Sequence, residues 1–289
     1  MCSALAADEE KEMKKREIIK TIRGDATTDG AGVKLVRVLS HANTVDFDPF
    51  LMLDFFDSTD PSDYTKGFPM HPHRGIETIT YMIEGRIEHE DSLGNKGSIQ
   101  AGESQWMTAG SGILHQEMPK ASERMLGIQL WLNLPRNQKM TSPAYLSITG
   151  EMIAQTKKDG AIIRVLSGQF EHETGVTPRH IPASIYDIEL SAGGEISIPT
   201  KPEETVFVFV IGDAVINGQT ISSHTAVLFG EGDELRVCAS AYDGLRFFFF
   251  SGKPLHEPIA WGGPIVMNTE EELAFAFDEL RRGTFIKHS

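Results

Sequence analysis

The chain has 289 residues, a formal net charge of −14, 40% apolar and 24% charged residues, and no biased tract. That length predicts two domains of roughly 120–140 residues, each able to bury its own core. The acidic excess opposes nucleic-acid phosphates and anionic membranes, and two cysteines, Cys2 and Cys238, are too few for a disulfide framework.

Residues 1–15 are polar and read as a flexible leader without the apolar core of a signal peptide. Residues 16–23 (REIIKTIR) and 33–39 (VKLVRVL) read as strands around the turn-rich GDATTDGAG, and DPFLMLDFF at 48–56 is apolar. From Gly67 short strands and turns alternate: TITYMI before Glu84-Gly85, then a strand to Asp91 before SLGNKG, then QWMT and MLGIQLWL. This spacing predicts an all-β sandwich or barrel. Residues 133–142, containing Pro135, read as linker. The second half repeats the style, with Tyr186, Ile188 and Leu190 on one strand face and Asp187 and Glu189 on the other. The apolar runs at 206–211 and 247–250 are too short to span a bilayer. Near the end, Thr269 with Glu272 forms a capping box. Leu273, Ala276, Phe277 and Leu280 recur at helical spacing, and Gly283 supplies a stop.

The residues with metal chemistry lie between Gly67 and Pro119. His71 and His73 form one pair, and His115 and Glu117 another. Residues two apart on a strand project from the same face, so two neighbouring strands would converge four ligands. Imidazole with carboxylate suits iron, manganese, zinc, copper or nickel. A six-coordinate ion would keep two open positions, which marks a catalytic rather than a structural site. Glu77 lies four residues after His73, an even step that keeps it on the same face of a straight strand. His89 is a further rival, read as a surface or outer-sphere residue. Phe68, Met70 and Trp106 are candidate apolar walls, with an ordinary core role equally open for Phe68.

The segments HPHRGIETITYMIEG, QWMTAGSGILHQEMP, DGAGVKLVRVL, DPFLMLDFF and PIAWGGPIVMNTEEEL resemble those of the pirin family of the cupin superfamily, and the resemblance runs from about Arg16 to Lys287. It implies two tandem jelly-roll cupin barrels with a short C-terminal helix. The expected layout is a leader at 1–15, a metal-binding domain at 16–135, a linker at 136–150, and a metal-free domain with the helix at 151–289. The resemblance places the ligands on His71, His73, His115 and Glu117, which leaves Glu77 for the surrounding shell; Phe68 and Trp106 are pocket candidates from their position near the ligands. A His/Glu site with open positions favours Fe(II), with Mn, Cu, Ni or Zn as substitutes; the resemblance implies quercetin 2,3-dioxygenase activity on a flavonoid and O2, for which Glu117 is the candidate catalytic carboxylate. The alternative that the resemblance implies is a redox-responsive regulator acting through a protein partner. In either case the expectation is a monomer in the cytoplasm, or the nucleus of a eukaryote, without direct nucleic-acid or membrane binding.

Overall fold

The computed structural model describes residues 13–288. The expected leader lies outside these residues over positions 1–12, and so does Cys2. The architecture is two cupin barrels, each a seven-stranded sheet facing a four-stranded one. In the first barrel the larger sheet runs, in spatial order, Ala144–Ile148, Ser104–Thr108, Ile76–Glu84, Met125–Asn133, Phe50–Ser58, Val33–Leu39 and Asp25–Asp29. The smaller sheet runs Phe68–His73, Ile113–Pro119, Ile87–Asp91 and Lys96–Ile99. Pairing is antiparallel throughout both.

Strand alternation sorts the core. In Thr205–Val210, Val206, Val208 and Val210 fill the second barrel, while Phe207 and Phe209 point into the seam between barrels. Leu245–Gly252 repeats this, with Phe247 and Phe249 inside and Phe248 and Phe250 at the seam. There they meet Phe47, Phe50 and Phe55 of the first barrel, edge-on to Phe207 and Phe209. Burying each such ring contributes about 1.5–3 kcal/mol, so the two barrels share one continuous apolar layer. No helix among the described residues is long and apolar enough to cross a membrane.

The expected domain limits are crossed three times. Ile18–Arg23, placed in the first domain by sequence, pairs with Thr225–Phe229 at the edge of the second domain's sheet. Buried Arg16 anchors it, donating to Thr200 Oγ1 at 2.7 Å and to the Gly230 carbonyl at 2.6 Å. Ala144–Ile148, expected in the linker, is an edge strand of the first barrel, paired with Ser104–Thr108. The end of the second domain folds back onto the first. Its hairpin, Ala260–Gly262 with Ile265–Met267, reaches Arg74 through a bridge at Ile265. The reason is the same each time: an alternating strand has an edge to fill, but its pattern does not specify which sheet supplies the neighbour.

The C-terminal helix Glu270–Arg282 follows its sequence signals. Thr269 Oγ1 accepts from the Glu272 amide, Glu272 Oε2 accepts from the Thr269 amide, and Gly283 closes the helix at φ 71°. Leu273 and Ala276 are buried against the hairpin, with Phe277 and Leu280 beside them.

Candidate metal centre

Strands Phe68–His73 and Ile113–Pro119 are adjacent, with His71 opposite His115 and Ile113 opposite His73. The two-residue spacing puts His71 and His73 on one face and brings His115 to it. Ring centroids lie 4.4 Å apart for His71 and His115, 4.8 Å for His71 and His73, and 5.0 Å for His73 and His115. One ligand nitrogen from each ring falls within 4.8 Å of the others.

The surroundings fix which nitrogens are available. His71 Nδ1 donates to the Pro69 carbonyl at 2.9 Å and His73 Nδ1 to the Pro264 carbonyl at 3.2 Å. These bonds leave both Nε2 atoms as lone-pair acceptors, and those two atoms are 3.0 Å apart. His115 Nε2 is buried and finds no hydrogen-bond partner among the described residues. Two Nε2 acceptors with the His115 ring beside them and no donor between form a site electrostatically suited to a cation, and the residues therefore fit a metal. Burial pushes the His73 pKa down to about 3, His115 well below the ordinary value, and His71 down as well. All three rings are thus neutral near pH 7, the form that ligates.

Glu117 shares the inward face of its strand with His115 and lines the same cavity as His71 and His73. Its Oε1 accepts from Gln105 Nε2 at 2.7 Å and Thr80 Oγ1 at 2.9 Å, and its Oε2 from Gln129 Nε2 at 3.1 Å. Burial outweighs these donors and pushes its carboxyl up to about 7. The tight group of ligand atoms is the histidine trio, with Glu117 held beside it by three side chains.

The cavity measures about 540 Å³. Met52, Phe56, Phe68, Trp131 and Trp261 form its apolar walls. Phe68 serves both expected roles, lining the cavity and meeting Phe56 edge-on at 6.3 Å. Met70 is instead about half exposed. At the wall, Arg37 donates to Asp54 at 2.9 and 2.8 Å and to Asp29 at 2.7 Å. His41 stacks on Trp261 at 3.8 Å.

Two expected shell residues lie elsewhere. Strand Phe68–His73 ends at the second candidate ligand, and Gly75 turns the chain at φ 78° before Ile76–Glu84 begins. The even count from His73 to Glu77 therefore does not preserve the face. Thr80 points to Glu117, and Glu77, an odd step away, points to the opposite side, where Oε1 accepts from Thr108 Oγ1 at 2.7 Å. Trp106 likewise faces away from neighbouring Gln105 and packs in the seam. Both line a separate small cleft with Tyr145 and Arg179. His89, cross-strand from Glu117, is buried, with Nε2 at 2.6 Å from the Tyr145 hydroxyl. The cradle of Thr80, Gln105 and Gln129 went unread in the sequence, although a Gln inside the apolar run MLGIQLWL was its signal.

Two cupin barrels with a histidine cluster in the first define the class. Residues 32–132 match the family described as Pirin, and residues 185–286 match Pirin C-terminal cupin domain. The chain belongs to the pirin family. It is 42% identical over 275 residues to a pirin-like protein of Caulobacter vibrioides, covering 93% of this chain and 99% of that one. The crystal structure of a quercetin 2,3-dioxygenase from Acinetobacter baumannii superposes with a TM-score of 0.86 at 30% identity, covering 94% of this chain and 98% of that one. The bacterial pirin YhhW of Escherichia coli, solved in complex with nickel(II), shares the fold at a TM-score of 0.62 and 24% identity, covering 81% of this chain and 98% of that one.

Proposed function

We propose that this chain is a mononuclear non-haem iron dioxygenase of the quercetin 2,3-dioxygenase type. The observation that carries this reading is the convergence of one ring nitrogen from each of His71, His73 and His115 beside an apolar cavity large enough for a flat aromatic substrate. His71, His73, His115 and Glu117 would hold the ion, and Fe(II) is the metal we assign. When bound, it supplies Lewis acidity toward a flavonol hydroxyl and a redox partner for O2.

The chain's own residues do the rest. Pro69 and Pro264 hold the two imidazoles in the ligating tautomer. Gln105, Gln129 and Thr80 fix the Glu117 carboxyl at the cavity, where it accepts the proton of the flavonol 3-hydroxyl. Phe56, Phe68, Trp131 and Trp261 exclude water and present flat surfaces to the rings.

The test is O2 uptake by anaerobically iron-loaded protein on adding quercetin, with carbon monoxide measured in the headspace. The expected result is one O2 consumed and one carbon monoxide released per flavonol, abolished by His71→Ala or His115→Ala. Uptake no faster than with metal-free protein would refute the reading. Unchanged turnover by a fully metal-loaded Glu117→Ala variant would remove Glu117 as base.

A further inference from the structure

Two buried basic side chains, Arg74 and Lys139, flank the turn after His73, and neither lines the cavity. Arg74 donates through Nε to the Ser111 carbonyl at 2.7 Å, through Nη1 to Glu279 Oε2 at 2.7 Å, and through Nη2 to the Phe285 carbonyl at 2.9 Å. Its guanidinium also sits 4.2 Å above the Phe285 ring. Lys139 Nζ donates to the carbonyls of Gly75 and Val266, at 2.9 and 3.0 Å, and to Asn133 Oδ1 at 2.6 Å. The Val266 amide donates to the Arg74 carbonyl at 3.1 Å.

These contacts share a geometry. Arg74 directly follows the ligand His73, and Ser111 lies four residues before the ligand His115. One guanidinium therefore ties both ligand strands to the helix Glu270–Arg282 and the tail beyond it. The same C-terminal segment supplies the Pro264 carbonyl that orients His73, and Trp261, Gly263 and Pro264 of the cavity wall. The Arg74–Glu279 pair is buried on both sides, so its geometry is held by packing as well as charge.

We propose that residues 258–286 form a latch that governs retention of the metal, closed by the Arg74–Glu279 pair. With the pair made, His73 keeps its ligating orientation and the wall beside the ion stays shut. With the pair broken, the hairpin lifts, His73 loses its carbonyl partner, and the ion escapes. Glu279 is thus a positioning residue acting through Arg74. The proposal rests on reading His71, His73 and His115 as a metal site.

The experiment uses the full chain loaded with Co(II), whose d–d absorption reports ligand geometry. Metal loss to excess chelator is timed well below the melting temperature. Glu279→Gln keeps the side-chain shape and removes the charge. It is expected to speed loss by about tenfold or more and to alter the d–d bands, the size of effect typical of outer-sphere changes at metal sites. Lys287→Met removes the other cation on Glu279 but leaves Arg74 paired, and is expected to lose metal at the wild-type rate. Hydrogen exchange on the wild-type protein needs no variant. Because the closed form keeps His73 in its ligating orientation and so binds metal more tightly than the open form, metal must by linkage favour the closed form, and amides of 264–285 should exchange more slowly when it is loaded. Wild-type loss kinetics in Glu279→Gln, or equal exchange with and without metal, overturns the latch while leaving the metal site standing. A wild-type protein that takes up no stoichiometric Co(II) overturns the metal site, and the latch with it.

Discussion

His71 and His73 point their Nε2 lone pairs at each other across 3.0 Å, each ring holding its proton on Nδ1 against a backbone carbonyl. Two acceptors at that separation repel unless a cation lies between them. Metal should therefore stabilise the fold as well as occupy it. At a free-ion concentration 100 times Kd the gain is about 2.7 kcal/mol, readable as a rise in melting temperature on adding Fe(II) under anaerobic conditions. His73→Ala is expected to abolish that increment. A rise as large in His73→Ala as in wild type would place the ion elsewhere.

Glu117 tests the fourth ligand. Its carboxylate already accepts three hydrogen bonds, so Glu117→Gln keeps most of the cradle and loses the negative charge. At most one cradle bond is mismatched, a cost of about 1 kcal/mol to the metal-free fold. Metal affinity, measured by chelator competition, is expected to fall about tenfold or more. Affinity within twofold of wild type would leave the three histidines as the only protein ligands at this centre.

The meeting of His71, His73 and His115 was legible because strand periodicity is two, and His71 and His73 lie within one strand next to that of His115. The same rule failed at Glu77 because Arg74 and Gly75 interrupt the strand between it and His73. Trp106 failed for a related reason: an apolar residue near the ligands in sequence carries no sign of which sheet face it takes until a neighbour such as Gln105 is located. The all-β class and the capped helix were readable from local patterns, and the two barrels from the family resemblance. The exchange of termini was not. Ile18–Arg23 completing the second barrel, and Trp261 and Pro264 completing the cavity beside the histidines of the first, are choices among sheet edges made by tertiary packing.

Glu77 makes a separate prediction because it lies away from the cavity. Burial pushes its carboxyl from 4.5 up to about 7, and Oε2 finds no hydrogen-bond partner among the described residues. The folded state thus binds the proton more tightly than the unfolded state does. The resulting stability is complete below pH 4.5 and is lost as pH rises through about 7, by about 3 kcal/mol in all. Glu77→Gln cannot ionise and should escape this loss. Urea denaturation at pH 5 and pH 8 is expected to show the variant gaining on wild type at the higher pH. A constant difference between the two proteins would mean that Glu77 titrates normally.

Gly75 sits where the ligand strand turns and the C-terminal hairpin docks. A Cβ added there would lie 1.9 Å from the Val266 carbonyl oxygen, and the residue holds φ at 78°. Gly94 has a similar φ of 85° in the turn after Ile87–Asp91, but its Cβ would meet nothing within 4 Å. The pair separates two effects. Gly94→Ala should cost only the left-handed strain, about 1–2 kcal/mol, without changing metal loss. Gly75→Ala carries the same strain and must also push Val266 away from the turn. That movement breaks the contacts of Lys139 and Arg74 with the hairpin and displaces the Pro264 carbonyl from His73. Gly75→Ala is expected to lower the melting temperature further than Gly94→Ala and, unlike it, to release metal faster to a chelator. Equal effects of the two substitutions on both readouts would show that docking of the hairpin does not bear on the centre.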